Sequence, residues 1–302
     1  MRQFDFLGKT KYFVPLSIAL IVISVVLLIP GVRGLDLGID LAGGMQFTVQ
    51  FPEYVETAEL RSLLGSIDAG GIDLSASIIQ DVVGQNRKTI TTQLLNVEDD
   101  LRTIDRIEST IRTTYGVAPG SISRELVGNQ VSAELARKGW QAILLALVAI
   151  LVYVAWRFRL RYAIGALAAV VHDVIIALGV FALFGVEFNL ATIAAFLTIV
   201  GYSLNDTIVI FDRIRENLKI ERRRSPFDVI NLSVNQSLSR TLNTSVTTFI
   251  PVIILFLFGG SVLRPFSLAL LVGVVVGTYS SMYIANPILH AWTVRAGGPK
   301  RS

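Results

Sequence analysis

Leu190-Ala-Thr-Ile-Ala-Ala-Phe-Leu-Thr-Ile-Val-Gly-Tyr-Ser-Leu-Asn-Asp-Thr-Ile-Val-Ile-Phe-Asp212 is an apolar run with an acid deep inside it. As a helix rising about 1.5 Å per residue, it places Asp206 roughly 24 Å from its start. A hydrocarbon core is about 30 Å thick, so Asp206 falls within it. A carboxylate at that depth costs about 2.5–3.5 kcal/mol on insertion scales. Such residues usually face a protein interior or a water-filled path, and they tend to handle ions or protons.

The rest of the chain repeats the apolar pattern. Its 302 residues are 52% apolar, and the mean hydropathy is +0.61. Runs at 12–30, 139–156, 162–184, 190–212, 241–259 and 266–291 are each long enough to span a bilayer. They predict a polytopic α-helical membrane protein with six transmembrane helices. Lys9 and Lys11 precede the first run, which is longer than a signal-peptide core and has no small-x-small site after it. It reads as a retained span.

The net charge of +4 sits in short segments between the runs. That makes it a topology signal, and no basic-aromatic patch points to nucleic acid. The chain has no cysteine, and its two histidines, His172 and His290, lie in different runs. Disulfides and thiolate chemistry are excluded, and neither a metal nor a cofactor is expected.

Basic residues alternate from segment to segment. Arg2, Lys9 and Lys11 lie ahead of the first run, and Arg157, Arg159 and Arg161 lie between the second and third. Arg213, Arg215, Lys219 and Arg222 to Arg224 follow the fourth, and Arg295, Lys300 and Arg301 follow the sixth. The opposite short loops carry Glu187 and Arg264. The positive-inside rule therefore puts both termini (1–11 and 292–302) and the 213–240 loop in the cytoplasm. Trp140, Trp156 and Trp292 fall at run ends, where an interfacial aromatic belt belongs.

Residues 31–138 are polar, and the same orientation makes them one extracytoplasmic domain between the first two spans. Met45–Phe51 alternates as a strand and Pro52 ends it. Leu60, Leu63, Leu64 and Ile67 have helical spacing. Leu74–Val83 and Lys88–Leu95 read as strands joined by a turn at Gly84–Arg87. Asp99–Tyr115 is an amphipathic helix with Leu101, Ile104, Ile107 and Ile111 on one face and acids (Glu98, Asp99, Asp100) in its first turn. Ser121–Val127 reads as a last strand. The order β-α-β-β-α-β is that of an α+β, ferredoxin-like domain.

Several polar residues lie within the runs. Asn205 and Asp212 share a helical face, and Asp206 lies on the adjacent one with Tyr202 and Arg213. Asp212, at the mouth of its span beside Arg213, has a simple reading as a solvated or ion-paired cap. His172 and Asp173 lie near the middle of the third run. Adjacent helical residues diverge by about 100°, so they are expected to reach different neighbours. His172 suits a proton path, or equally a neutral hydrogen-bonding role in the core. Arg240, Asn243 or Thr244, and Thr247 share a polar face of the fifth span. Arg240 reads either as a headgroup anchor or as part of a polar interior. At the start of the outer domain, Asp40 precedes Gly43 and Gly44, paired glycines that allow positive φ. No phosphate loop and no nucleophile–base set is present.

Together these residues resemble the SecF family. The resemblance rests on Gly38-Ile-Asp-Leu-Ala-Gly-Gly44, His172-Asp173, Gly201-Tyr-Ser-Leu-Asn-Asp-Thr207, Phe211-Asp-Arg-Ile-Arg-Glu-Asn217 and Ser239-Arg-Thr-Leu-Asn-Thr-Ser-Val-Thr-Thr248, and it covers nearly the whole chain. Leu41 stands where that family more often has Phe. The resemblance implies an accessory subunit of bacterial protein export in the cytoplasmic (inner) membrane. It implies pairing with SecD into two pseudo-symmetric six-span halves, similar to resistance-nodulation-division transporters. It also implies work beside the SecYEG channel on a preprotein, driven by protons. In the family, the arginine matching Arg240 lies near an aspartate of SecD, and the aspartate matching Asp206 belongs to the same polar centre. Two other readings stand beside it. A small-molecule or lipid exporter would need a larger outer domain and usually twelve spans. A structural assembly factor without proton coupling leaves the intramembrane Asp and Arg residues unexplained.

Overall fold

The computed structural model describes residues 4–68, 73–82, 86–92 and 97–295, with backbone alone at 76, 97–102, 129, 261, 262 and 295. In chain order the elements are α1 (Thr10–Leu28), α2 (Ile39–Ala42), β1 (Gly44–Gln50), α3 (Thr57–Gly65), β2 (Ile78–Val82), β3 (Arg87–Thr92) and α4 (Val97–Tyr115). There follow β4 (Ile122–Val127), α5 (Asn129–Arg157), α6 (Leu160–Phe184), α7 (Leu190–Ile220), α8 (Pro226–Phe258), α9 (Gly260–Tyr283) and α10 (Ala285–Arg295). They form two compact units, Met1–Asp36 with Trp140–Ser302, and Leu37–Gly139.

The first unit is helical. Among the described residues, six segments are long and apolar enough to cross a membrane: α1, α5, α6, α7, α8 and the α9–α10 segment. This is the make-up of a polytopic helical membrane protein. Local signals set the helix ends. Asn189 accepts the Thr192 N–H at 3.0 Å to start α7. Ser225 accepts the Asp228 N–H at 3.1 Å to start α8, with Pro226 in its first turn. Gly185, at φ 59°, closes α6. Helices α7 and α8 reach beyond the apolar runs, so Arg213–Ile220 and Pro226–Arg240 are helical where the sequence reads as a loop. Hydropathy marks where lipid contact ends, whereas the backbone continues as long as good helix formers follow.

Helix α7 is central. Its Val200, Leu204, Phe211 and Ile214 share one apolar cluster with Tyr162 and Ala166 of α6, Ile230 and Val234 of α8, and Leu289 of α10. Large apolar residues left outside, such as Val22, Leu145 and Leu257, are exposed as a lipid-facing surface requires. Small residues bring helices close. A Cβ on Gly179 would lie 2.1 Å from Ser24 Oγ, so α1 packs directly on the α6 backbone.

The apolar run 266–291 is not one helix, because it breaks at Ile284. Pro287 has no N–H for the Tyr283 carbonyl, and its ring crowds that oxygen. Asn286 repairs part of the loss, donating Nδ2 to the carbonyls of Ser281 (2.8 Å) and Met282 (3.3 Å). Ahead of α1, the segment from Phe4 to Leu7 is tied to α8. Asn231 Oδ1 accepts the Phe6 N–H at 2.8 Å, and Asn235 Oδ1 accepts the Phe4 N–H at 2.8 Å. Both amide groups donate back to the Phe4 carbonyl.

The second unit holds a four-stranded antiparallel sheet in the order β2-β3-β1-β4. Met45, Phe47 and Val49 of β1 point to one face, where they cluster with Leu60 and Leu64 of α3 and with Ile104, Ile107 and Ile111 of α4. Lys88 of β3 is buried at 2% exposure, holding Asp81 and, at 2.9 Å, the Thr57 hydroxyl. Gly84 and Gln85 of the expected turn, and Val83, Leu94 and Leu95 of the expected strands, lie outside the described residues. So do the side chains of Glu98, Asp99, Asp100 and Leu101, together with Arg2, Lys300 and Arg301.

Candidate functional site

The polar residues inside the helical bundle form two carboxylate centres with different surroundings. The first is Asp173 on α6, which is fully buried. Its Oδ2 accepts hydroxyl protons from Ser203 of α7 at 2.6 Å and Ser280 of α9 at 2.8 Å. Small residues on α9 make this possible. A Cβ on Gly273 would strike Ile199 at 2.3 Å, and one on Gly277 would lie 3.3 Å from Ser203 Cβ. That close approach carries Ser280 to the carboxylate.

His172 and Asp173 do pair, contrary to the expectation from helical angles. His172 Nδ1 lies 2.9 Å from Asp173 Oδ1. The 100° divergence describes the Cβ directions alone. Rotation about the side-chain bonds swings the proximal ring nitrogen back to the neighbouring carboxylate. The imidazole also stacks on Tyr279 at 6.0 Å, and the Tyr279 hydroxyl donates to the Phe13 carbonyl at 2.7 Å. His172 Nε2 is buried without a hydrogen-bond partner among the described residues.

The second centre is Asp206, three residues further along α7 than Ser203 and 2% exposed. Its one hydrogen bond among the described residues is long, from Thr244 Oγ1 to Oδ1 at 3.4 Å. The same hydroxyl also lies 2.9 Å from the Thr241 carbonyl, which is the better acceptor by distance. Oδ2 has no partner among the described residues, and neither do the buried hydroxyls of Tyr202 and Thr241. An under-satisfied carboxylate in the interior is costly, which makes Asp206 the carboxylate with unused bonding capacity.

Other polar residues near Asp206 face outward. Asn205 is exposed on α7, and Arg240, Asn243 and Thr247 are exposed on α8. Arg240 makes no ion pair within 4.0 Å among the described residues. Asp212 pairs with Arg157 of α5 at 3.5 Å rather than with its neighbour Arg213. Arg213 instead binds Gln236 and Glu216, each at 2.6 Å. Sequence reasoning missed one lock here. Asn217 Nδ2 donates to Ser233 Oγ and Gln236 Oε1 at 2.8 Å each, joining α7 to α8. The i, i+3 spacing of Ser233 and Gln236 was the available signal.

In the second unit, Asp40 is half-buried in α2. Gly43 follows at φ 74°, ψ 167°, and Gly44 at φ 122°. The Gly43 conformation is open to glycine alone, and it turns the chain from α2 directly into β1. No group of three His, Cys, Asp or Glu side chains that could hold a metal occurs among the described residues.

The model for the C-terminal region of the protein-export membrane proteins SecD/SecF matches residues 106–295, and that for the SecD/SecF GG motif matches residues 29–51. The protein translocase subunit SecF of Petrotoga mobilis is 41% identical over 294 residues, covering 96% of each chain. That of Desulfurispirillum indicum is 40% identical, covering 92% of this chain and 89% of its own. Among solved structures, SecDF from Thermus thermophilus, a translocon-associated membrane protein, superposes with a TM-score of 0.86 at 37% identity. The match covers 97% of this chain but 39% of that one, so this chain spans about two fifths of that protein.

Proposed function

The chain belongs to the SecD/SecF family of protein-export membrane proteins, and on that footing we propose that it is a proton-driven subunit of the Sec export machinery. It is an accessory subunit of protein export, a transport role rather than catalysis, and it pairs with a SecD partner. Working beside SecYEG in the bacterial inner membrane, it draws on the proton gradient to promote translocation and release of a preprotein. Both termini lie in the cytoplasm and the unit Leu37–Gly139 lies outside. The strand order β2-β3-β1-β4 supports a ferredoxin-like fold for that unit.

The observation that carries the proton reading is the contrast between the two buried carboxylates. Asp173 is held by three side chains on three helices, and so serves as a fixed anchor. Among the described residues Asp206 has one long hydrogen bond and an unpartnered oxygen, and it lies beside an exposed polar stripe that includes Arg240. Protonation at Asp206 would remove a charge from the α7–α8 interface and change its attraction to Arg240 and to whatever covers that stripe. One proton crossing about 100 mV releases roughly 2.3 kcal/mol. That biases a two-state motion about fifty-fold.

The test is preprotein translocation by the complex in membranes, with ATP supplied and the gradient imposed or collapsed. The unaltered protein gains speed from the gradient. Arg240→Met and Asp206→Asn insert and assemble but lose that gain. Retention of the full gain by both variants sinks the proton role and leaves Arg240 as a headgroup anchor.

A further inference from the structure

A cavity of about 390 Å³ lies at the end of the bundle where α5 turns into α6. It gathers Arg157, Arg159 and Arg161 from that turn with Arg215 and Lys219 from α7. Of these five cations only Arg157 has an ion pair among the described residues, with Asp212 at 3.5 Å. Arg161 is half-buried, its guanidinium 5.2 Å from the Tyr162 ring, and its Nε is buried with no hydrogen-bond partner among the described residues. Arg159 is the N-cap of α6 and supplies no side-chain cap, so the positive end of a 25-residue helix adds to the same turn.

Charge bias between spans explains why this turn is basic. It does not require two segments distant in sequence to bring five cations, four of them without an ion pair among the described residues, to one cavity, because like charges brought together repel. A bound anion offsets that repulsion. Guanidinium groups suit a phosphate, which they grip through paired N–H donors.

We propose that this cavity binds the phosphate headgroup of an anionic phospholipid. Its position at the ends of two membrane-crossing helices sets it at headgroup depth. Beside it Trp156 is 82% exposed and Leu160 58% exposed, an apolar rim fit for the interfacial zone. Along the same helix Val152 and Leu145 are exposed, a path for acyl chains. A soluble acidic peptide would leave that apolar rim uncovered.

The experiment is native mass spectrometry of the delipidated protein with its partner subunit. It is titrated in turn with phosphatidylglycerol, phosphatidylcholine and glycerol 3-phosphate. Phosphatidylglycerol is expected to bind at least ten-fold more tightly than the other two. Arg161→Gln combined with Arg215→Gln lowers that binding at least five-fold. Arg223→Gln combined with Arg224→Gln, which removes the same charge elsewhere at this end, leaves it unchanged. If the first pair fails to fold, Arg159→Gln alone carries the comparison with a two-fold or greater loss expected. Equal binding of the two lipids overturns the site. Equal losses in both charge-matched variants also overturn it, since diffuse charge then suffices. Glycerol 3-phosphate binding as tightly as the lipid replaces the membrane source with a free phosphate. A photo-crosslinker at Arg159 that captures protein and not lipid in native membranes assigns the cavity to a protein partner.

Discussion

Ser280 donates its hydroxyl to Asp173 Oδ2 at 2.8 Å and so fastens α9 to α6. Ser203 reaches the same oxygen from α7, and the His172 ring holds the other. Three helices thus meet on one side chain. Hydrogen bonds between membrane helices contribute about 0.6–1.7 kcal/mol each. Asp173→Ala is therefore expected to destabilise the protein by about 2–5 kcal/mol. Asp173→Asn, whose carbonyl still accepts from the serines, should cost about 1 kcal/mol. Thermal unfolding in detergent separates the two. Equal small losses would show that Asp173 is not the anchor.

Gly179 permits the contact of α1 with α6. A single methyl there collides with the Ser24 backbone and side chain, so α1 must move. Gly179→Ala is expected to cost about 1–3 kcal/mol, the usual penalty of overpacking. Gly201→Ala, which meets nothing within 4 Å, serves as the control and should cost nothing measurable. Unfolding midpoints that do not differ would refute the close packing.

In the outer unit, the Lys88 ammonium depends on Asp81. Asp81→Ala leaves that charge buried against Thr57 and the Tyr54 ring, at an expected cost of about 1–3 kcal/mol, reduced from the fully buried case because Asp81 is half-exposed. Lys88→Met keeps the volume and removes the charge, so it should change stability by less than about 1 kcal/mol. Hydrogen exchange at the β2–β3 amides reads both. A larger loss from Lys88→Met than from Asp81→Ala reverses the argument.

Orientation has a direct test, because the chain lacks cysteine. A single cysteine at Glu53 should react with an impermeant thiol reagent in intact cells. One at Arg223 should react only after lysis. The opposite pattern inverts the topology.

The exposed stripe of Asn205, Arg240, Asn243 and Thr247 calls for a covering subunit, since lipid penalises such a face. Photo-crosslinking from Thr247 in native membranes should capture a SecD-like chain. Adducts with lipid alone would leave the stripe facing the bilayer.

Hydropathy runs revealed the helices, since twenty apolar residues have few other uses. The acid at Asp206 was equally plain, because a charge inside an apolar run is conspicuous. The roles of the two aspartates were not legible. Which carboxylate is saturated depends on Ser203, Gly277 and Ser280 meeting it from other helices, and serines are common in spans for purely local reasons. Lys88 read only as the first residue of a strand. Its burial follows from the fold around Tyr54 and Thr57, which no period-two pattern reports. The break at Ile284 was within reach, because Pro287 announces it.

Asn231 and Asn235 have a consequence for the order of assembly. They grip Phe4 and Phe6 across more than two hundred residues of chain. During synthesis Phe4 to Leu7 leave the ribosome long before their grip exists, with four spans and the whole sheet unit still to come. No neighbour-to-neighbour sequence of insertions can close this contact. It forms late, as a long-range closure whose slow step is the search rather than the bond. Until then α1 is held in place by its own apolar length and by Gly179, and the bundle is fastened last through a segment made ahead of α1.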